Sequence, residues 1–237
     1  MNPAGQGPLL CLLPGLDGTG LLYGALEAEL SCDHDLQVIG YPPDRFGGYQ
    51  ALADEVSGRL PLDRGFVIVA ESFAGPLAIL IAARKPAGLL GVVIAASFLH
   101  QPVRASGFLA RLLNAMPSSL PLPLGIIEHV LMGRWKNSAI RQGLDVALSS
   151  VEASVLKARL KAALLIDARG MFAQVEVPVL NIRATRDGLL QRRANFDFDA
   201  GCCERVELEA PHFVFQAVAR EAADTIRSFV KDKRIFQ

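Results

Sequence analysis

The sequence is poor in cysteine, and its apolar runs are short. Its four cysteines are Cys11, Cys32, Cys202 and Cys203. Their spacing fits neither a zinc site nor a disulfide framework, so we expect reduced thiols, no metal and a cytoplasmic location. No apolar stretch reaches the roughly 18 residues that a membrane-spanning helix needs. Residues 1–8 lack the basic start of a signal peptide, so we expect no integral membrane segment.

The chain also lacks an excess of charge of either sign. Lys and Arg together number 24, and Asp and Glu together number 24. This balance does not favour nucleic acid or an anionic membrane as a partner. Hydrophobic residues, in contrast, make up 51% of 237 residues. That length and composition suit one α/β domain over residues 1–237, with a sizeable core.

Strand-like and helix-like segments alternate along the chain. Six short apolar runs predict strands at Leu9–Leu13, 36–40, 66–70, 92–95, 179–183 and 205–208. Helical patterns lie at 21–30, 49–60, 76–84 and 220–231. The strand runs are nearly continuous, which is typical of parallel strands that are covered on both faces. We therefore predict a mostly parallel sheet of about six strands, with helices on both faces.

A long interval, residues 100–178, separates the fourth and fifth predicted strands. Its helical pattern predicts one or two helices that pack on the sheet and a helical cap within about 101–150. In segment 151–166, four apolar residues share one helical face, which predicts that this face packs on the sheet. They are Val155, Ala158, Ala162 and Leu165.

The predicted cap is strongly apolar. Its apolar residues are Phe108, Leu109, Leu112, Leu113, Met116, Ile126, Ile127, Val130, Leu131 and Met132. Apolar helices over a site suggest an apolar substrate group, and packing of the cap on the sheet is the alternative role. The sequence assigns no single residue to substrate binding.

Ser72 stands where the third predicted strand ends and a helical pattern begins. A strand-to-helix turn lifts a side chain out of the strand end, and it needs small neighbours because the helix returns close to the strand. Ala70 and Ala74 are small residues on either side of Ser72. Ser72 is therefore a candidate nucleophile for acyl transfer, and an ordinary turn serine is the alternative.

A glycine-rich turn, residues 14–20, follows the first predicted strand. Turns of this kind expose backbone N–H groups, which can stabilise a developing oxyanion. A phosphate-binding loop would also be rich in glycine, but no Lys-Ser or Lys-Thr pair follows Gly20. The turn therefore favours acyl chemistry over nucleotide binding, and we expect no cofactor.

Two more candidates follow later strands. Asp187 comes after the fifth predicted strand and His212 after the sixth. Sites in open α/β sheets form at the carboxyl ends of strands. The order Ser72, Asp187, His212 is the order in which serine hydrolases built on such a sheet carry their triad.

Together these segments resemble the α/β-hydrolase superfamily, which includes serine esterases, lipases and acyltransferases. The matching segments are 12–18, 70–75, 177–187 and 211–213. The resemblance implies that Ser72 attacks an acyl carbonyl, that His212 accepts its proton and that Asp187 orients the imidazole. It also implies an oxyanion hole formed by the backbone N–H groups of Leu16 and Phe73.

Several details depart from the family pattern. The glycines that usually flank the nucleophile are Ala70 and Ala74 here, although Gly75 follows directly. Pro14 stands where the family often has histidine, and Pro211 stands where it often has glycine. The two strands that usually open the family's sheet have no counterpart, so we expect a smaller sheet in a monomer or homodimer.

The sequence thus predicts a hydrolase for carboxylic esters with small to medium apolar acyl groups. A thioesterase or an acyltransferase is the alternative with the same triad, and a ligand-binding homologue without turnover is a third. Asp17 either forms the turn or takes part in catalysis. Glu71 either braces the turn at Ser72 or contacts the pocket, and the sequence does not separate these roles.

Overall fold

A single six-stranded sheet organises the computed structural model, which describes residues 7–115, 129–190, 198 and 203–231. The strands are Leu9–Leu13 (β1), Leu36–Val38 (β2), Phe66–Glu71 (β3), Leu89–Ala95 (β4), Val179–Ala184 (β5) and Cys203–Leu208 (β6). Their order is β2-β1-β3-β4-β5-β6, and every neighbouring pair is parallel. The predicted parallel sheet is therefore confirmed.

Strand boundaries differ most from the prediction at β4. This strand begins at Leu89, whereas its apolar run predicts a start at 92. Leu89 pairs with Phe66, but the next paired residue is Gly91, so the ladder contains an irregularity there. Gly91 interrupts the apolar run, so the hydrophobicity pattern does not predict the first residues of this strand.

Both faces of the sheet are apolar, because side chains alternate between the faces along each strand. In β1, Leu10 and Leu12 enter one core, whereas Cys11 and Leu13 enter the other. All of β3 is buried. The continuous apolar runs in the sequence therefore reflect burial on two sides, as expected for a covered parallel sheet.

Helices cover both faces of the sheet. They are Gly24–Leu30 (α1), Tyr49–Ser57 (α2), Ala74–Ala82 (α3), Ser106–Ala115 (α4), Ser138–Ser149 (α5), Ala153–Leu165 (α6), Arg169–Phe172 (α7), Val214–Ala217 (α8) and Ala219–Lys231 (α9). Short 3₁₀ turns lie at Leu21–Tyr23 and Gly133–Trp135. Helices α2 and α3 pack on the face of Cys11, and α1 and α9 pack on the face of Leu10.

The interval between β4 and β5 is helical, with α4 to α7 and the 3₁₀ turn Gly133–Trp135. Its predicted apolar residues have different environments: Phe108 is 67% exposed, whereas Met132 is fully buried. Met116, Ile126 and Ile127 lie outside the described residues. No helix in the described ranges is long and apolar enough to span a membrane.

The packed side of helix α6 overlaps the predicted face only in part. Val155, Arg159 and Ala163 form its buried stripe, whereas Leu165 is 56% exposed. The prediction that Leu165 shares the packed face is therefore wrong. A hydrophobicity pattern places an arginine at the surface, so it cannot find a packed stripe that contains Arg159.

Candidate active site

Ser72 forms a strained turn between β3 and α3. Its φ angle is 54°, in the left-handed region that non-glycine residues rarely adopt. The Ser72 N–H donates to the Ala95 carbonyl at 2.9 Å, which ties the turn to β4. The Ser72 carbonyl accepts from the Gly75 N–H at 3.1 Å and from Ser97 Oγ at 2.5 Å. Neighbouring backbone and side-chain groups therefore hold the Ser72 backbone in this conformation.

At this turn, the helix comes closest to its neighbours at Gly75. A Cβ atom at Gly75 would lie 1.9 Å from Ser97 Oγ and 2.7 Å from Ser97 Cβ. Ala70 and Ala74 are fully buried without such a requirement for glycine. The two alanines that depart from the family pattern are therefore compatible with the turn, and the essential glycine is one position later.

Ser72, His212 and Asp187 form a continuous hydrogen-bonded chain. Ser72 Oγ lies 2.7 Å from His212 Nε2, and His212 Nδ1 lies 2.8 Å from Asp187 Oδ2. Asp187 Oδ1 accepts from the N–H groups of Leu189 and Leu190 at 2.7 and 2.9 Å. Because a carboxylate can only accept, Nδ1 carries the proton and Nε2 is free to accept from the serine hydroxyl.

The charges around this hydrogen-bonded series suit His212 as a base that is oriented by the Asp187 carboxylate. Burial disfavours the imidazolium, but the charge and hydrogen bond of Asp187, with a contribution from Glu71, outweigh it and raise the pKa of His212. Burial would raise the pKa of Asp187, but the His212 charge and the hydrogen bonds of Asp187 lower it. Asp187 is therefore ionised at neutral pH, and it stabilises a proton on His212.

Two backbone N–H groups near Ser72 have no acceptor among the described residues. They belong to Leu16 in the glycine-rich turn and to Phe73 beside Ser72. Within the described part of the chain, neither N–H donates a hydrogen bond. Both residues line the same cavity as Ser72. The two groups that the sequence predicts as oxyanion donors are thus unpaired at the candidate site.

Three buried tyrosines hold the carbonyl groups of the same two segments. Tyr23 donates to the Leu13 carbonyl at 2.6 Å, and Tyr41 donates to the Pro14 carbonyl at 2.8 Å. Tyr49 donates to the Phe73 carbonyl at 3.0 Å, and its ring stacks on Phe73 at 4.8 Å. Each fixed carbonyl fixes the plane of its peptide group, and this preorganises the turn. No sequence pattern marks these tyrosines, because their partners are distant in the chain.

Glu71 and Asp17 both lie beside the site and both have internal partners. Glu71 Oε1 accepts from the Phe215 N–H at 3.2 Å, and Oε2 accepts from Gln216 Nε2 at 3.0 Å. Asp17 Oδ2 accepts from the N–H and the hydroxyl of Thr19, at 2.9 and 2.5 Å. Glu71 therefore joins the Ser72 turn to the segment after His212, and Asp17 closes the glycine-rich turn.

A cavity of about 340 Å³ opens next to Ser72. Apart from the polar groups of the site, its lining is mainly apolar. The apolar side chains are Pro14, Leu16, Leu22, Phe73, Phe98, Pro102, Val103, Val130, Leu131, Leu144, Leu148, Leu160, Ala163, Leu164, Leu189, Leu190 and Phe213. Of the ten apolar residues that the sequence analysis names in the predicted cap, Val130 and Leu131 line the cavity. The described residues contain no group of three or more metal-ligating side chains.

Comparison with known proteins agrees with this architecture. No protein-family model matches the chain, and no curated protein matches it in sequence. Among solved structures, a hydrolase from Oleispira antarctica is similar, with a TM-score of 0.83 and 14% identity over 97% of this chain and 93% of that one. A lipase-esterase related protein from Clostridium acetobutylicum has a TM-score of 0.79 and 16% identity, over 94% of each chain.

A thermophilic esterase from Thermogutta terrifontis is also similar, with a TM-score of 0.79 and 16% identity over 99% of this chain and 92% of that one. These similarities extend over nearly the full length of each pair. The chain therefore has the α/β-hydrolase fold, as its sequence motifs predict.

Proposed function

We propose that the protein is a serine hydrolase that cleaves carboxylic esters with small to medium apolar acyl groups. The observation that carries the proposal is the hydrogen-bonded series from Ser72 through His212 to Asp187. Ser72 and His212 line an apolar cavity. The fold, and the esterase names of similar structures, support the same reaction class. In this proposal residues 1–237 form one domain, and helical residues within about 101–150 form its cap.

In this proposal the reaction has two stages, acylation and deacylation. Ser72 Oγ attacks the acyl carbonyl while His212 Nε2 accepts the serine proton, and the carbonyl oxygen becomes an oxyanion. The free N–H groups of Leu16 and Phe73 would stabilise that oxyanion. When the intermediate collapses, the ester C–O bond breaks and His212 returns the proton to the leaving alcohol. The acyl group then remains on Ser72 as an ester.

Water completes the cycle by the same route. His212 Nε2 accepts a proton from the water as its oxygen attacks the acyl-enzyme carbonyl. Collapse of the second oxyanion breaks the bond to Ser72 Oγ, which takes the proton back from His212. The products are the carboxylic acid and the free enzyme. Throughout, the ionised Asp187 stabilises the positive charge that forms on the imidazole.

Acyl transfer to an acceptor other than water, or thioester hydrolysis, is the second candidate. The observation that favours transfer is the apolar lining of the cavity, because a dry acyl-enzyme survives until another nucleophile enters. Product analysis distinguishes the two: free acid indicates hydrolysis, whereas a new ester formed from an added alcohol indicates transfer.

The test is hydrolysis of p-nitrophenyl esters from acetate to palmitate by the wild type and by Ser72→Ala. We expect the variant to lose activity by about 10⁴-fold or more, because it lacks the hydroxyl group that would form the acyl-enzyme. A matched control is Ser228→Ala, whose hydroxyl bonds to the Asp224 carbonyl on α9. Circular dichroism should give the same spectrum for all three proteins.

A fluorophosphonate probe separates an enzyme from a silent binding protein. Ser72 Oγ displaces fluoride from phosphorus while His212 takes the proton, so the expected product is phosphonylated Ser72 with the corresponding mass increase. Substantial ester hydrolysis by Ser72→Ala would contradict the mechanism. A folded wild type that neither hydrolyses esters nor reacts with the probe would favour the binding role.

A further inference from the structure

Arg159 is a fully buried arginine whose hydrogen bonds all go to backbone carbonyl groups. Its Nη1 donates to the carbonyls of Leu16 at 3.0 Å and Asp17 at 2.6 Å. Its Nη2 donates to the Pro42 carbonyl at 2.7 Å. The guanidinium carbon lies 5.4 Å from the centre of the Tyr41 ring. The side chain therefore reaches from α6 to the back of the glycine-rich turn.

Burial of the Arg159 charge destabilises the folded state. A charge taken out of water loses its hydration, and burial lowers the pKa of Arg159 in spite of opposing effects from Tyr41 and Asp17. Among the described residues, no carboxylate lies within ion-pair distance of Arg159, and its Nε has no hydrogen-bond partner. Three hydrogen bonds to backbone carbonyls offset part of this cost, so the explanation for the buried charge must lie in what those bonds do.

The explanation lies in which peptide groups it holds. The N–H of Leu16 belongs to the peptide group between Gly15 and Leu16. The preceding peptide is held by Tyr41 through the Pro14 carbonyl, and the following one is held by Arg159 through the Leu16 carbonyl. The carbonyl of Gly15 itself accepts from the Gly18 N–H at 3.1 Å. The peptide that carries the free N–H is thus fixed from both sides.

We propose that Arg159 is a positioning residue for the oxyanion hole, which holds the Leu16 peptide so that its N–H faces the acyl carbonyl. This inference rests on the proposed function. It deepens that function, because it gives helix α6 a role in transition-state stabilisation. The positive charge lies on the carbonyl side of the two peptide groups that follow this N–H, and it acts on the donor peptide only through them.

Gly18 provides the space for this contact. A Cβ atom at Gly18 would lie 2.5 Å from Tyr41 Cδ2 and 2.8 Å from Arg159 Nη1, and its φ angle of 71° also favours glycine. The Arg159 side chain and the glycine-rich turn are therefore packed against each other without room for a further methyl group. The turn cannot shift toward α6, and loss of the guanidinium removes that support.

Helix α6 also lines the cavity, but with different residues. Leu160 and Leu164 contact the cavity, whereas Arg159 contacts only the turn and its surroundings. The two roles predict different kinetics. A residue that acts on the oxyanion changes the rate for every ester, because each ester forms the same oxyanion. A residue that lines the acyl cavity changes the preference among acyl chain lengths.

The experiment compares Arg159→Met, Leu160→Ala and Arg227→Met with the wild type on the p-nitrophenyl ester series. We expect Arg159→Met to lower kcat by about 10- to 100-fold at every chain length, with little change in KM. Leu160→Ala should instead shift the preferred chain length. Arg227, which bonds to the Glu29 carbonyl and to Asp33 away from the cavity, is the matched arginine control and should leave kcat unchanged.

A second readout is the rate of Ser72 phosphonylation, because the phosphonyl oxygen needs the same donors as the oxyanion. We expect this rate to fall in Arg159→Met by a factor similar to that for kcat. Should Arg159→Met not fold, Tyr41→Phe tests the other fixed side of the same peptide and should also lower kcat at all chain lengths.

The outcomes separate the two proposals. If the wild type is active and folded Arg159→Met has the wild-type kcat and phosphonylation rate, the positioning role is wrong and the proposed function stands. A changed chain-length preference in Arg159→Met, without a uniform loss, also overturns the positioning role. If the wild type hydrolyses no ester but is phosphonylated, the proposed function fails, and the phosphonylation rates still decide the role of Arg159. If the wild type is not phosphonylated either, both proposals fail.

Discussion

Glu71 is a buried carboxyl group beside the proposed triad, and its charge acts on His212. It is 4% exposed, and burial raises its pKa to about 7, although its hydrogen bonds to Gln216 and Phe215 and the charge of His212 oppose this. Asp17 on the facing turn raises it further. Glu71 is thus an ionisable group that titrates near neutral pH, one residue before the candidate nucleophile.

Replacement of Glu71 by glutamine should shift the pH dependence of ester hydrolysis toward lower pH. The Glu71 charge raises the pKa of His212, and His212 must be neutral to act as a base. Without that charge, His212 stays neutral at a lower pH, so the acid limb of kcat/KM should move down, by less than about one pH unit because Glu71 is only partly ionised below about pH 7. The measurement is the pH–rate profile of wild type and Glu71→Gln from pH 5 to 9.

Stability provides an independent readout of the same substitution. A carboxyl group whose pKa is raised on folding stabilises the native state below its unfolded pKa, and this contribution is lost as the pH rises through the folded value. The wild type should therefore lose stability between about pH 4.5 and 7 through Glu71, by about 1–3 kcal/mol, and the variant should not. Urea unfolding at pH 5 and 8 measures this. Identical pH profiles for both proteins would contradict the role of the Glu71 charge.

Individual residues also define what the sequence could predict. Ser72, Asp187 and His212 each follow a strand, so parallel-sheet geometry predicts that they meet, and the structure brings them within hydrogen-bond distance. Their catalytic roles stay predictions. Arg159 and Tyr41 support the turn from distant chain positions. No local pattern marks such contacts, because only the tertiary fold determines which backbone carbonyl each side chain reaches.

Among the elements, the turn between β3 and α3 depends on one glycine. Gly75 faces Ser97, which in turn donates to the Ser72 carbonyl. The family pattern, with glycine on each side of the nucleophile, does not predict this position as the critical one. The helix begins at Ala74, two residues before the start that the sequence predicts at 76. Pro76 favours the first turn of a helix, so it marks the start only approximately.

Gly75→Ala should disrupt this turn. The new Cβ would overlap Ser97 Oγ and Cβ. Ile94 Cγ2, at 3.2 Å, limits how far the new Cβ could move away from them. We expect a loss of stability of about 1–3 kcal/mol and at least a tenfold loss of kcat, because a shift of the turn moves Ser72 Oγ away from His212. Thermal unfolding and ester hydrolysis measure the two effects.

A helical glycine without close neighbours is the control for this substitution. Gly107 in α4 has no atom within 4 Å of a built Cβ, so Gly107→Ala should keep both activity and stability. Ser97→Gly in the Gly75→Ala background removes the overlapping atoms and should restore part of the activity. If Gly75→Ala is as stable and active as Gly107→Ala, the steric argument for this turn is wrong.

For the molecule as a whole, the cavity is a product of the fold. It is lined from the glycine-rich turn, the Ser72 turn, helices α5 and α6 and the residues around Leu190 and Phe213. The sequence predicts the sheet and the strand-end residues well, because these follow from local patterns and parallel topology. It does not predict which apolar residues of the helical interval face the cavity, since several turns of helix are apolar on more than one side.

Substitutions at Leu164 and Leu165, two neighbours on helix α6, test whether this cavity binds the acyl group. Leu164 is buried and lines the cavity, whereas Leu165 is 56% exposed and does not line it. We expect Leu164→Trp to fill part of the cavity and to move the preferred ester to shorter acyl chains. The kcat/KM for the longest ester that the wild type accepts should fall by at least about tenfold, which corresponds to the loss of one or more methylene contacts.

The exposed neighbour separates cavity filling from a general effect of tryptophan. Leu165→Trp adds the same side chain at the surface, so its chain-length profile should equal that of the wild type. Acetate is short enough to avoid the filled region, so its hydrolysis by Leu164→Trp should remain near the wild-type rate if the turn at Ser72 is undisturbed. An equal loss for all esters would indicate that the catalytic geometry has moved instead. An unchanged profile would mean that the acyl group binds elsewhere, because Leu164 lines the cavity next to Ser72.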